Sequence, residues 1–553
     1  MTGDGMTIVV AATPTSNGDL HLGHMAGPYL AGDVYARYLR GTGRPAIYTT
    51  CTDDSQSYVV STAHRLGVKP ATLCATSTAS IERSLRAMGI SMVGLPPIDD
   101  RYRQTVHDFV RVLHAAGRFR LRTVRLPFAT NAGVCLFDGL VAGTCPVCLA
   151  QSCGGACEAC GHPNNFDELI DPRYTVDPAD PVTYREQQIL VLPLEEYRDR
   201  LTAYYAAQEG RWRPHAMQLI HELLARPLPE VPVTVPAGWG VPAPFPETPG
   251  QVLYPWIEAM PAVMYSTWWS VAQLGEPTPA VDEHWRAEHG ARPVYFHGFD
   301  NVYHWGLMDL VLLMAHGDRY VTPVGNVCNE FYELAGDKFS TSRNHLIWSV
   351  DLLAEVPRDL VRFHLASTAP EHQRTTFSRD ALHNVVSRRL VEPWNALADA
   401  MSLALLGADG SVTLPTTAAG RRRCAAMLER FRGCYDLPGY SMNRAAETVV
   451  AQLARLRREA ETAGAGDIAP GDLLLQVRTL LAGAAPILVD TADRAGAVGI
   501  ELNLAAGPSD AIRPFELPRL PSGDHPGEPA PARGTALAAT TAGSPAVPGE
   551  PVT

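Results

Sequence analysis

The sequence predicts an α/β fold built on a parallel sheet, interrupted by a cysteine-rich insertion and followed by an α-helical bundle. Three features predict it. Short apolar runs alternate with segments of 3.6-residue periodicity through about residue 115, and apolar runs return near 293–324. Five of the eleven cysteines crowd into Cys145–Cys160, between those two regions. The stretch Ser378–Ala505 is rich in Leu, Ala and Arg at helical spacing.

The chain has 553 residues, too many for one core, so about three to five packed units are expected. An apolar share of 46% and a charged share of 19% fit a globular protein with a large core. No apolar run reaches the ~18 residues that a membrane span needs, and the start lacks the basic-then-apolar pattern of a secretory leader. A cytoplasmic protein with no membrane partner is expected. The net charge of −12 disfavours a general nucleic-acid surface, although a local basic face can coexist with an acidic total.

Residues 6–12 (MTIVVAA) predict a buried strand, and Ala26–Leu39 a helix. Between them Asn17-Gly18 allows a tight turn, and His21-Leu22-Gly23-His24 falls where strand gives way to helix. A helix starting near Leu22 offers backbone amides to an anion above the sheet, and His21 and His24, three apart, project to one side. Such imidazoles can hold polyphosphate and stabilise charge at a five-coordinate phosphorus. Pro45–Thr50 predicts a second strand, ending at Thr52-Asp53-Asp54. The strand–helix–strand order predicts a parallel sheet with its ligand site at the strand carboxyl ends. In the insertion, Cys145-Pro-Val-Cys148 and Cys157-Glu-Ala-Cys160 form two CxxC pairs able to close a Cys₄ zinc tetrahedron, with Cys153 a spectator. Further strands are expected at Pro293–His297 and Arg319–Val324, with a helix over Val302–Ala315 between them. Gly336-Asp-Lys338-Phe-Ser340-Thr-Ser342-Arg343 is a hydroxyl-rich loop able to close cations over a triphosphate. The last ~40 residues, rich in Pro, Gly, Ala and Thr, read as a disordered tail.

Taken together, His-Leu-Gly-His and Lys-Phe-Ser-Thr-Ser resemble the HIGH and KMSKS elements of class I aminoacyl-tRNA synthetases. Within class I the resemblance is closest to the methionyl-tRNA synthetases. It extends through Ala12-Thr13-Pro14-Thr15-Ser16-Asn17-Gly18, Trp239-Gly-Val-Pro242, Leu253-Tyr-Pro-Trp256-Ile-Glu-Ala259 and Gly298-Phe299-Asp300-Asn301, over roughly residues 6–400. It implies a Rossmann-like, HUP-type nucleotide-binding domain with a zinc-knuckle connective insertion, followed by an anticodon-binding-like α-helical bundle. The implied segments are 1–115 and 246–325 for the two Rossmann halves, 116–245 for the insertion and 326–377 for the KMSKS-like and stem-contact region. The bundle would occupy 378–515 and the tail 516–553.

The resemblance also implies ATP-dependent formation of an aminoacyl-adenylate, with Mg²⁺ and Zn²⁺ as cofactors. His21, His24 and Lys338 would be catalytic. Gly23, Asn17, Ser340, Ser342, Arg343 and Asp300 would bind ATP. Thr13, Thr15, Asp53, Trp256, Asn301 and Trp305 would bind the amino acid, with Asp53 (or its neighbour Asp54) receiving the α-ammonium.

Four departures from the family pattern stand out. Thr13 and Thr15 replace a leucine and a tyrosine of the methionine pocket, and Trp305 replaces a histidine near the thioether. Thr341 stands at the second lysine of KMSKS, where Arg343 could compensate. Around Arg455–Ile468 the expected anticodon tryptophan is missing, and Asn395 is the candidate for the family's asparagine there. Two functions follow as expectations. The first is a ligase that passes another amino acid to a small-molecule acyl acceptor, such as an N-hydroxylated amine in hydrazine formation with a separate partner cupin enzyme. The second is a genuine methionine–tRNA ligase. No dimerisation appendage is recognisable, and a monomer is expected.

Overall fold

Four short apolar runs pair side by side, all in the same direction: β1 (Thr7–Ala11), β2 (Ala46–Thr49), β3 (Arg292–Gly298) and β4 (Gly325–Asn329), in the order β4-β3-β1-β2. The register sets Val9 against Val294, Val10 against Thr49 and Phe296 against Val327. This computed structural model describes residues 5–521 apart from 278, 340–344, 406–411, 464–468 and 506.

Parallel strands need a crossover between them, so the sheet is covered on both faces and β1 is buried along its whole length. Alternate residues serve opposite faces. Val9, Ala11, Phe296 and Val327 join the core shared with the C-terminal helices. Ile8, Val10, Tyr295 and Cys328 join the core shared with the insertion. The helix Leu30–Gly41 carries the chain from β1 to β2, and Asp309–Ala315 lies between β3 and β4. The strand expected over Arg319–Val324 is instead β4, a few residues later. Pro323 cannot donate to a ladder, and pairing along this edge begins where the Val324 amide donates to the Pro293 carbonyl at 2.8 Å.

The segment between β2 and β3 supplies helices to both faces of the sheet and carries the insertion. Helices Ser57–Leu66, Pro70–Ala87 and Asp100–Ala115 lead into the insertion, where Arg120–Ala129 and Val182–Pro193 form a long antiparallel ribbon. A three-stranded sheet centred on Val141–Thr144 holds the cysteine cluster. The helix Pro255–Gln273 then returns the chain to β3.

The bundle comprises Arg379–Val386, Glu392–Ala404, Ala418–Tyr435, Met442–Ala463, Pro470–Ala484 and Val489–Ala497. Residues 516–521, where the tail was expected to begin, pack against it instead, with Leu517 and Leu520 buried. The Trp394 indole donates to the Pro518 carbonyl at 2.8 Å. Asn395 donates to the Leu520 carbonyl and accepts from the Leu520 amide, both at 3.0 Å. Asn395 therefore spends its amide within the chain. Residues 464–468, part of the segment in which the resemblance places an anticodon tryptophan, lie outside the described residues. Among the described residues no helix is long and apolar enough to cross a membrane.

A buried ion pair ties the sheet domain to the bundle. Arg362, on the helix Arg358–Ser367, donates to Asp33 at 2.7 Å, and both side chains are fully buried. The same guanidinium donates to the carbonyls of Met88, Pro486 and Ile487, so one cation joins three segments. Burial alone would push the Asp33 carboxyl up, but Arg362 and Arg37 hold it below its ordinary value. Removing one member strands a buried charge, so Arg362→Ala is expected to cost about 3–5 kcal/mol in urea denaturation. The apolar pair Arg362→Met with Asp33→Leu is expected to cost much less. A loss below about 1 kcal/mol for the single variant would contradict this role.

Candidate active site

The carboxyl ends of all four strands open into one cleft. Ala12, Thr13, Pro14 and Thr15 follow β1, Asp53 follows β2, Gly298, Asp300 and Asn301 close β3, and Asn329 and Glu330 close β4; all of them line it. The edge is fixed by backbone contacts. Thr15 bridges to Asp53, the Asp53 amide donates to the Pro14 carbonyl at 2.9 Å, and the Tyr29 hydroxyl donates to the Ala12 carbonyl at 3.1 Å.

His21-Leu22-Gly23-His24 occupies one wall, at a helical start as the sequence predicts. His21 is the N-cap of the turn Leu22–His24, and a wide turn over Met25–Tyr29 leads into Leu30–Gly41. The two imidazoles stack at 3.7 Å, His21 buried and His24 exposed. Phe339 closes on them from the far segment, with its ring 5.0 Å from that of His21. The Leu22 amide donates to the Ile347 carbonyl at 3.0 Å, so the backbone beyond that segment is also joined to the turn. A Cβ on Gly23 would lie 3.0 Å from the His21 ring and 3.3 Å from Phe339. The glycine is thus required by this packing as well as by any bound group.

The opposite wall is acidic. Burial pushes the Asp53 carboxyl well above its ordinary value, and the carboxylates of Glu258, Asp54 and Asp138 push it further, against one bond from the Gln56 side chain. Burial raises Asp138 to about 6, although its Oδ1 accepts from the Gly155 amide and the Tyr254 hydroxyl, both at 2.8 Å. Glu258 is itself pushed by burial to about 8; its Oε2 accepts from Ser55 at 3.0 Å and Tyr102 at 3.3 Å. Such crowding is relieved by a cation, and the arrangement suits an ammonium at Asp53. Asp54 is engaged elsewhere, accepting from the Ser16 hydroxyl.

Of the sequence-predicted residues, Thr13, Thr15, Asn17, His21, Gly23, His24, Asp53, Trp256, Asp300 and Asn301 are brought together in the cleft. Trp305 is not among the lining residues. It is buried against Tyr295, with ring centroids 4.9 Å apart. Its neighbour His304 lines the cleft in its place, stacked on Trp256 at 3.6 Å. The Lys338 side chain, Ser340, Ser342 and Arg343 lie outside the described residues. Sequence reasoning missed His304, Gln56, Tyr58 and Asp138. The three-residue step from Asn301 to His304 was a usable helical signal for the first; no local pattern marks Asp138, which sits in a short turn of the insertion.

Cys145, Cys148, Cys157 and Cys160 bring their sulfurs within 4.8 Å of one another, without Cys153. The Cys145–Cys160 and Cys148–Cys157 separations are 3.8 and 3.7 Å. A tetrahedron with Zn–S bonds of about 2.3 Å has S···S edges of about 3.8 Å, so the four thiols fit zinc. Gly155, Ala156 and Glu158 of the same knuckle line the cleft, so the metal loop is also one of its walls.

Known proteins with this architecture can now be set beside the site. A family model described as tRNA synthetases class I (M) matches residues 7–401. Methionine–tRNA ligase of Porphyromonas gingivalis is 32% identical over 376 residues, covering 67% of this chain and 54% of its own length. That of Salinibacter ruber is 31% identical over 468 residues, covering 82% of this chain and 65% of its own. The chain thus spans between half and two thirds of these relatives. In fold it is similar to Mycobacterium tuberculosis methionyl-tRNA synthetase bound by methionyl-adenylate, with a TM-score of 0.70, 20% identity, and coverage of 92% of this chain and 99% of that one.

The cysteine geometry generates a direct expectation. The purified protein should carry one zinc per chain by elemental analysis. Chelation or Cys145→Ser should remove it and lower the melting temperature on the order of 5 °C or more. A metal-free chain that melts like the untreated protein would contradict the assignment.

Proposed function

This chain belongs to the class I tRNA synthetase family of the (M) type, and from that premise we propose that it joins an amino acid to ATP as an aminoacyl-adenylate and then transfers the acyl group. A substrate carboxylate oxygen attacks the α-phosphorus of ATP in line. The new acyl–phosphate bond forms as the bond to pyrophosphate breaks. No covalent enzyme intermediate is required; positioning and charge stabilisation are enough. Asp53 takes the α-ammonium as a charge-assisted contact. His21 and His24 donate to phosphate oxygens as charge builds, with Gly23 beside the adenine and Asn17 and Asp300 on the nucleotide. Lys338, Ser340, Ser342 and Arg343 close over the pyrophosphate. Cys145, Cys148, Cys157 and Cys160 would hold Zn²⁺, which would stiffen the knuckle wall, and Mg²⁺ would supply counter-charge to the phosphates.

One observation carries this reading: His21–His24 and Phe339, far apart in sequence, pack together beside a cleft that ends at the Asp53 carboxylate. The relatives' name, methionine–tRNA ligase, supports a tRNA 3′ end as the acyl acceptor. Nothing in the comparisons supports a cupin partner or hydrazine chemistry. A small-molecule acceptor remains the second reading, favoured by the polar wall of Thr13, Thr15 and Asn301 and by Asn395, whose amide is spent on Leu520.

ATP–pyrophosphate exchange tests the proposal. The wild type should show exchange dependent on an amino acid, and His21→Ala and His24→Ala should each lower it about 100-fold or more, the scale of losing a transition-state donor. Near-wild-type exchange in both variants would remove the two histidines from the reaction. Charging of bulk tRNA under the same conditions separates the two acceptors.

A further inference from the structure

Three residues on the acidic side of the cleft hold buried polar atoms with no hydrogen-bond partner in the protein: Asp138 Oδ2, Gln56 Oε1 and both ring nitrogens of His304. All three residues line the cleft, and each is at least nine-tenths buried: Gln56 is 2% exposed, His304 3% and Asp138 4%. Leaving such atoms unpaired costs about 1–3 kcal/mol each. Asn329 Nδ2, a buried donor in the same lining, is unpartnered as well, and this concentration in one cleft points to a ligand that supplies the missing bonds.

The chemistry of those atoms restricts the ligand. Asp138 Oδ2 and Gln56 Oε1 only accept. Burial holds the His304 imidazole down to about 3, so it is neutral at pH 7 and adds one acceptor nitrogen and one N–H. With Asn329 Nδ2 counted as a second donor, three unpartnered acceptors stand against two donors. The ring is fixed by its stack on Trp256, 3.6 Å away and 7° from parallel, so its nitrogens cannot easily turn elsewhere. Thr13, Thr15 and Asn301 add hydroxyls and an amide to the same lining. The Asn301 amide already donates to Asp300 at 3.0 Å. Asp53, Asp138, Glu158 and Asp300 share the cleft, while no lysine or arginine is among its described lining residues. An acidic substrate side chain would meet like charge there. A thioether has no donor and would leave the acceptors bare.

We propose that the amino acid activated here carries a hydrogen-bond donor on its side chain, a hydroxyl, amide or amine, and that His304, with Gln56 and Asp138, recognises it. This rests on the adenylation reading and names the substrate class of that site. Discrimination then comes from a site that loses its bonds when the wrong side chain enters, a design that rejects an analogue lacking the donor far more strongly than an apolar pocket rejects a shape.

The test is ATP–pyrophosphate exchange with the full chain across the twenty proteinogenic amino acids plus ornithine and 2,4-diaminobutyrate. The highest kcat/KM is expected within the hydroxyl, amide and amine group. Methionine should fall at least 100-fold lower, and aspartate and glutamate lower still. His304→Phe keeps an aromatic ring on Trp256. It is expected to cut kcat/KM for the preferred amino acid at least tenfold, leave the KM for ATP within threefold, and narrow the gap to methionine. Asp138→Asn, which turns an acceptor into a donor without changing size, is a second variant with the same expected direction, and melting curves check that both are folded. Methionine as the best wild-type substrate would overturn the assignment. So would unchanged amino-acid ratios in folded variants, because water would then be satisfying these atoms. Exchange with none of the amino acids would overturn the adenylation reading itself.

Discussion

Parallel pairing of β1 with its neighbours is the constraint from which the rest of this molecule follows. Parallel strands cannot be joined by tight turns, so each connection must cross a face of the sheet. Every carboxyl end then falls on one edge. That edge collects Ala12–Thr15, Asp53, Gly298–Asn301 and Asn329–Glu330 without any of them being near the others in sequence. The long excursion between β2 and β3 leaves from this carboxyl edge, and Gly155, Ala156 and Glu158 of its zinc-fitting knuckle form a wall of the cleft. The segment after β4 returns over it from the other side, bringing Phe339 onto His21.

The cleft is not arranged for stability. Burial raises the carboxyls of Asp53, Asp138 and Glu258, acidic neighbours push Asp53 further, and several polar atoms beside them have no partner among the described residues. Such a site is tolerated when a bound group supplies the cation and the donors, and when the surrounding scaffold is stiff enough to hold it open. The scaffold here includes Arg362, whose bonds to Asp33, Met88, Pro486 and Ile487 lock the sheet domain to the bundle. Strain in the cleft and rigidity behind it belong to one design.

Much of this was legible in the sequence, and the misses have physical causes. β1 and β2 are uninterrupted apolar runs because both faces of the sheet are covered. The HLGH turn and the two CxxC pairs are local patterns whose chemistry depends on spacing alone. Arg319–Val324 has β-propensity, but Pro323 lacks the N–H that a ladder needs, so β4 starts after it. Register along a helix decides between neighbours such as Trp305 and His304, which composition alone does not fix, and here His304 faces the cleft. Asp138, bonded to Tyr254 116 residues away, and the Arg362–Asp33 pair, 329 residues apart, depend on contacts that no window of sequence contains. Residues 516–521 look like linker by composition, yet two leucines and the backbone bonds to Trp394 and Asn395 suffice to pin them.

The central claim is that a carboxylate oxygen displaces pyrophosphate from the α-phosphorus within this cleft. The direct measurement uses the preferred amino acid labelled with ¹⁸O in both carboxylate positions, together with ATP and hydroxylamine as a general acyl acceptor, and reads AMP by mass spectrometry. The account predicts AMP carrying one ¹⁸O atom, because the bridging oxygen remains on phosphorus when the acyl group leaves. Unlabelled AMP, or label in inorganic phosphate with ADP as the nucleotide product, would contradict it.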